Sequence, residues 1–177
     1  IRSPRDAIRA GICLLPEDRK NQGLIVAQSV LSNFGLPNLA AFSQFGVVQR
    51  PRERNAFAEY ISALGIKVAD VDAPAKNLSG GNQQKIVLAK WLQRNCSVAI
   101  FDEPTRGIDV GSKAQIYQLI GELAAAGKTV IVVSSYLPEL LGLCDTIGVM
   151  CRGELCAVRP RAQWNEHEII RAATGSN

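Results

Sequence analysis

The chain has 177 residues, 47% of them apolar and 20% charged, and a formal net charge of +4. That is enough for one domain with a sizeable core, or for two unequal lobes, and the composition is that of an ordinary globular protein. No apolar run approaches the ~20 residues that cross a bilayer, and no basic-then-apolar leader opens the chain. Ile1 stands where an initiator methionine would, so a piece of something longer is the expectation.

Five cysteines without a Cys-x-x-Cys pair, and a single histidine, His167, far from most of them, argue against a zinc site. Three of the cysteines sit among apolar residues of expected strands, where a thiol acts as a small buried hydrophobe. Reduced thiols in a cytosolic protein are the expectation. Basic residues gather at Arg2, Arg5, Arg9, Arg19 and Lys20 and again at Arg50–Arg54. Neither group is interleaved with aromatics as in single-stranded nucleic-acid binders, so a solvated face or a protein contact is expected, and no nucleic-acid partner.

In chain order, Pro4–Arg9 reads as a short helix that Gly11 ends. Ile12–Leu15 is a strand stopped by Pro16, and Asp18–Leu24 reads as a loop. From Ser29 to about Arg94 the pattern is mostly helical, with Pro51–Leu64 carrying Phe57, Tyr60, Ile61 and Leu64 at helical spacing. Lys67–Asn77 is a polar connector. Val98–Phe101 and Val130–Val133 are continuous apolar runs, as in strands buried on both faces. Between them lies a helix, Ser112–Ala126. A short helix over Leu137–Leu143, a hairpin turning at Arg152-Gly153, and an amphipathic helix over Trp164–Ala173 complete the chain. This alternation predicts an α/β fold, a mostly parallel sheet with an inserted helical subdomain. The expected division is 1–28 (core strand and the loop after it), 29–95 (helical subdomain) and 96–177 (remaining α/β core).

Two segments carry chemistry. In Leu78-Ser79-Gly80-Gly81-Asn82-Gln83-Gln84-Lys85, Ser79 is a good N-cap, and the two glycines let the backbone approach a ligand closely. The amides that open the helix behind them form an anion site. In Val98-Ala99-Ile100-Phe101-Asp102-Glu103-Pro104-Thr105, two carboxylates emerge from a buried strand, where ligands of open α/β sheets collect. Asp102 suits Mg²⁺ and Glu103 suits polarising an attacking water. Read alone, the first segment also fits a plain turn, and the second a polar strand end leading into a proline turn.

Taken together, Leu-Ser-Gly-Gly, then about twenty residues, then four apolar residues and Asp-Glu-Pro-Thr, then Gly107-Ile108-Asp109, resemble the ATP-binding-cassette (ABC) ATPase family. The resemblance places the first segment on the signature motif, Asp102 on the Walker B aspartate, Glu103 on the catalytic glutamate and Asp109 on the D-loop aspartate. Pro16-Glu17-Asp18-Arg19-Lys20, Gly-Gly-Asn-Gln-Gln-Lys and Pro-Thr-Arg-Gly-Ile-Asp-Val-Gly look like the second cassette of the monosaccharide-importer ATPases of the ribose, galactose and xylose type. The resemblance then implies a P-loop NTPase (ABC ATPase) fold and ATP and Mg²⁺ as cofactors. The metal would fall to Asp102 and Glu17, and nucleotide contacts to Ser79, Gly80, Gly81, Asn82 and Asp109. It also implies membrane permease subunits, a second cassette in the same chain or a dimer, and indirectly a sugar-binding protein as partners. The place implied is the cytoplasmic face of the membrane. The loop after Glu17 and the insert Ser29–Arg94 are where such a protein docks its permease. A non-catalytic regulatory module, or a soluble ABC protein of translation or DNA repair, are the alternatives.

Three positions depart from the general pattern. Glu17 replaces the Q-loop glutamine, Asn82 replaces the last signature glutamine, and Ser135 occupies the switch-histidine position, where it would act in catalysis without histidine's charge.

The chain holds no Walker A loop. Gly121 to Gly127-Lys128-Thr129 has one residue too many for Gly-x-x-x-x-Gly-Lys-[Ser/Thr], and a helix precedes it where a strand should. A sheet without the P-loop strand would leave apolar faces and unpaired edges. Phosphoryl transfer is mostly positioning, so this chain alone should turn over no ATP. A phosphate-release rate above background that disappears in Glu103→Gln would overturn that.

Overall fold

A computed structural model describes residues 1–175. Contacts divide it into two compact units, Ile1–Val133 and a second beginning at Ser134.

The first unit opens with helix α1 (Pro4–Arg9), whose N-cap Ser3 accepts the Asp6 amide at 3.2 Å. Strand β1 (Ile12–Leu15) follows. The segment expected as a loop then forms a π-helical turn, Arg19–Gly23. Asp18 is the reason: its carboxylate accepts the amides of Lys20 and Asn21, each at 3.1 Å, and caps the turn.

The insert contains α2 (Val30–Gly35), α3 (Leu39–Phe42), a two-residue hairpin of β2 (Ser43–Gln44) and β3 (Val47–Val48), and α4 (Arg50–Ala63). The hairpin was hidden because each strand has only two residues, too few to show a period. Phe34 organises this region, with ring centroids 4.7 Å from Phe57, 5.8 Å from Phe42 and 5.6 Å from Tyr60. Such offset, tilted pairs add to the burial of the rings. The connector ends in a single 3-10 turn, Ala75–Asn77.

Helix α5 (Gly80–Leu92) is the hub, with an unbroken buried run from Gln83 to Lys90. A helix enclosed on nearly all sides must satisfy its polar side chains internally. Gln83 donates to the Ala75 carbonyl at 3.1 Å, Lys85 to that of Gly65 at 3.0 Å, and Lys90 to that of Gly23. Asn38 in turn donates to the Lys90 carbonyl at 2.8 Å.

Strands β4 (Val98–Asp102) and β5 (Thr129–Val133), joined by α6 (Val110–Ala125), complete a parallel sheet with order β1-β4-β5. Both strands were expected to be buried on both faces; instead burial alternates along them. Cys13, Leu15, Ala99 and Phe101 are buried on one face, against which α5 and α6 pack. On the other, the register Leu14–Ile100–Ile131 aligns a row of apolar side chains, and Leu14 is 48%, Ile131 46% and Val133 51% exposed. The continuous apolar run thus reports a face that the described residues leave uncovered.

In the second unit, α7 (Leu137–Leu143) precedes an antiparallel pair, β6 (Thr146–Cys151) and β7 (Glu154–Pro160). Arg152 at φ 49° and Gly153 at φ 85° make the two-residue turn, the combination that type I′ hairpins need. The last helix, α8 (Glu166–Thr174), starts two residues later than expected because Asn165 and Glu168 close a capping box ahead of it. Ile147, Val149, Trp164 and Ile169 form this unit's core. Cys156 is exposed, unlike the buried thiol expected in a strand, because β7 presents most of its residues to solvent.

Two outcomes follow. The open apolar row and the unpaired outer edges of β1 and β5 should make the isolated chain self-associate, with Ile131→Lys reducing the effect. Light scattering checks this; a monodisperse monomer across concentrations would contradict it. Burial also pushes the Lys90 ammonium down to about 8 from the ordinary 10.5. Between those values the unfolded chain holds the proton and the folded chain does not, so Lys90 makes stability rise with pH there. Below that window the buried charge costs its full amount. Urea midpoints should show this rise, and Lys90→Met should flatten it; parallel profiles would count against the buried charge.

Candidate functional site

Ser79 sits in extended backbone at φ −61° and ψ 157° and caps α5. Its Oγ accepts the Asn82 amide at 3.4 Å and the Asn82 side-chain amide at 3.0 Å. Asn82 also accepts the Lys67 amide at 2.8 Å, tying the helix start to the connector. The first intrahelical bond runs from Gln83 N–H to the Ser79 carbonyl. The amides of Gly80 and Gly81 therefore precede the ladder and point their donors out of the helix end.

Both glycines are closely approached by the chain's own side chains. A Cβ at Gly80 would lie 2.6 Å from Nη2 of Arg19 and 3.3 Å from the Gly107 carbonyl. A Cβ at Gly81 would lie 2.6 Å from Oγ of Ser112 and 3.6 Å from Oδ2 of Asp109. Asp109 caps α6, accepting the Ser112 amide at 3.0 Å and the Ser112 hydroxyl at 2.8 Å. These bonds, the amide's first, hold its carboxyl below the usual range. Ser79, Gly80, Gly81, Asn82 and Asp109 thus come together at one place.

Asp102 and Glu103 lie at the carboxyl end of the central strand. Asp102 is the last residue of β4, half-buried and paired in register with Val133. Glu103 takes a left-handed backbone at φ 46°, a conformation costing about 1–2 kcal/mol for a residue with a Cβ. Its amide donates to the Val133 carbonyl at 2.8 Å, and its carbonyl accepts the Arg106 amide at 3.1 Å. Pro104 disfavours the right-handed alternative. A strained, doubly anchored residue in this position is a mark of function.

Glu17, just beyond β1, forms an ion pair with Arg106. Both side chains are largely exposed, so the pair contributes at most ~1 kcal/mol. Among the described residues no group of three or more His, Cys, Asp and Glu could hold a metal. One half-buried carboxylate fits Mg²⁺ nevertheless, because that ion takes most of its ligands from phosphates and water. Asp102 fits as it stands; Glu17 fits only by leaving Arg106. Ser135 belongs to the second unit, in the turn ahead of α7. The Gly127-Lys128-Thr129 stretch follows α6, with Gly127 at φ 79°, and Lys128 donates to Asn95 at 2.7 Å.

Sequence reasoning passed over Ser112, Arg106 and Arg19. The Asp109-to-Ser112 spacing is a legible capping pattern. The two arginines fall within segments that carry the family resemblance, but nothing in the sequence reveals their contact, 87 residues apart.

A family model described as "ABC transporter" matches residues 3–106. The ribose import ATP-binding protein RbsA of Geobacillus kaustophilus is 48% identical over all of this chain, which covers 36% of that protein. The arabinose import ATP-binding protein AraG 2 of Burkholderia thailandensis is 48% identical over 97% of this chain and 33% of its own length. The chain thus spans about a third of the curated relatives it matches. Among solved structures, a dimeric ATP-binding cassette in a post-hydrolysis state, bound to ADP and Pi, superposes with a TM-score of 0.71 at 24% identity, covering 85% of this chain and 62% of that one. An inward-facing metal-chelate-type ABC transporter gives 0.74 at 16% identity, covering 92% and 63%. These two structures share the fold. With more than half of its residues under the family model, the Ser-Gly-Gly helix start and the Asp-Glu strand end among them, the chain belongs to the ABC transporter family.

Proposed function

We propose that this chain is part of a cassette that binds and hydrolyses ATP to drive monosaccharide import through a membrane permease. The observation that carries the reading is Glu103, held in a strained turn directly after Asp102 at the end of the central strand. The anchored backbone supports a role for the Glu103 carboxylate in accepting the proton of a water attacking a γ-phosphate.

In this reading Ser79 and the amides of Gly80 and Gly81 bind the γ-phosphate of ATP carried on a second cassette. Asn82 and Asp109 border that contact and brace the helix start. Asp102, joined by Glu17 when it releases Arg106, holds Mg²⁺, which supplies charge neutralisation for the phosphates. Ser135 offers a hydroxyl at the switch position. Residues 1–28 and 96–177 act as the ATPase core, with 29–95 as the helical subdomain. The permease meets the loop after Glu17 and that subdomain, and the cassette lies peripherally on the cytoplasmic face. No helix among the described residues is long and apolar enough to cross a membrane. The names of the relatives, ribose and arabinose import ATP-binding proteins, support the sugar class. Selectivity among sugars falls to the permease and the sugar-binding protein.

The test is ATP turnover by the full-length protein with its permease. Glu103→Gln should lower kcat by about 100-fold or more while ATP binding is retained. Unchanged turnover in that variant would reject the reading.

A further inference from the structure

We propose that Arg19 is a positioning residue that locks the start of α5 and the segment between β4 and α6 into one edge, the edge facing the γ-phosphate on the second cassette. This rests on the reading under Proposed function and assigns a role that neither the motifs nor the relatives' names give.

The geometry begins with the turn that carries Arg19. Asp18 caps it, and the Asn21 side chain adds a bond to the same carboxylate at 2.6 Å. The far end of the turn is fixed to α5 itself. Lys90 donates to the Gly23 carbonyl, and a Cβ at Gly23 would lie 3.0 Å from Cγ2 of Val87. The turn therefore moves with the helix, and Arg19 reaches from it to the helix's beginning.

There the guanidinium joins two segments. Nη1 donates to the Arg106 carbonyl at 3.3 Å. Nη2 occupies the space a side chain at Gly80 would need, and both Nη atoms lie within 4.0 Å of where a Gly107 Cβ would be. Gly107 is itself at φ 66°. Gly80 thus makes room for the side chain, and Gly107 lies in ordinary contact range of it.

The placement is costly, and that points to a task. Arg19 Nε is buried without a hydrogen-bond partner, and an unsatisfied buried donor carries its desolvation penalty. Among the described residues Arg19 has no ion pair, whereas Arg106 nearby is matched by Glu17. A cation beside a helix N-terminus also opposes the helix dipole. The second cost falls when a phosphate comes to the helix start, so the cation suits the nucleotide-bound state.

The experiment uses the full-length protein with its permease and compares Arg19→Ala, Arg19→Lys and Glu103→Gln. Arg19→Ala should lower kcat about 10-fold and leave the KM for ATP within about 2-fold, since a misplaced edge weakens the reacting state more than nucleotide capture. Where Arg19→Ala does not fold, Arg19→Lys is read in the same way, with an expected loss of about 3-fold. In thermal melts, the fall in Tm caused by Gly80→Ala should shrink when Arg19→Ala is present, because the clashing atoms are gone. An unchanged kcat, a KM that rises in step with the loss, or a Gly80→Ala effect independent of Arg19 would each overturn the proposal. If Glu103→Gln abolishes turnover and Arg19→Ala leaves kcat unchanged, Arg19 alone is wrongly assigned. If Glu103→Gln also leaves turnover unchanged, both readings fall.

Discussion

The Cα positions of the two glycines that open α5 are crowded from two sides by the same chain. The Arg19 guanidinium and the Gly107 carbonyl crowd Gly80, while Ser112 and Asp109 crowd Gly81. No residue with a Cβ fits either place without a shift. The close approach that makes a glycine pair suited to a phosphate is therefore favoured by packing before any ligand arrives. The rest of the first unit follows from this constraint. Because α5 is enclosed along most of its length, its polar residues must find carbonyls, and those bonds bring the connector, the insert and the turn after β1 to the helix.

The sheet supplies the second half of the arrangement. Parallel pairing of β1, β4 and β5 aligns their carboxyl ends, so Glu17, Asp102 and Glu103 emerge at the same end. The strain at Glu103 is balanced by bonds to Val133 and Arg106, and Arg106 meets Glu17 and Arg19 in turn. One short segment, Glu103–Gly107, thus joins the acidic strand end to the glycine helix start. Chemistry at one and contact at the other share a backbone.

Much of this was legible in the chain. Ser79 as a cap, the strand ending at the Asp-Glu pair and the helix over Leu137–Leu143 each rest on local patterns of capping, periodicity or proline placement, and local patterns survive in any context. Other features were not. The π-helical turn at Arg19–Gly23 has the composition of a loop and is held by a carboxylate cap and by Lys90, whose partner lies 67 residues away. The hairpin at Ser43–Val48 is too short to have a period. The open face of the sheet was invisible because an apolar run looks the same whether or not something covers it. The left-handed backbone of Glu103 and the reach of Arg19 depend on tertiary contacts, which no window of sequence contains.

A structure of the full-length Glu103→Gln protein with Mg²⁺ and ATP measures the central relation directly, namely the separation between the γ-phosphate and the start of α5. The account predicts phosphate oxygens within about 3.2 Å of Ser79 Oγ and of the Gly81 amide, with the nucleotide held by the other cassette. A nucleotide bound while that helix start remains in solvent or packed against protein would contradict it.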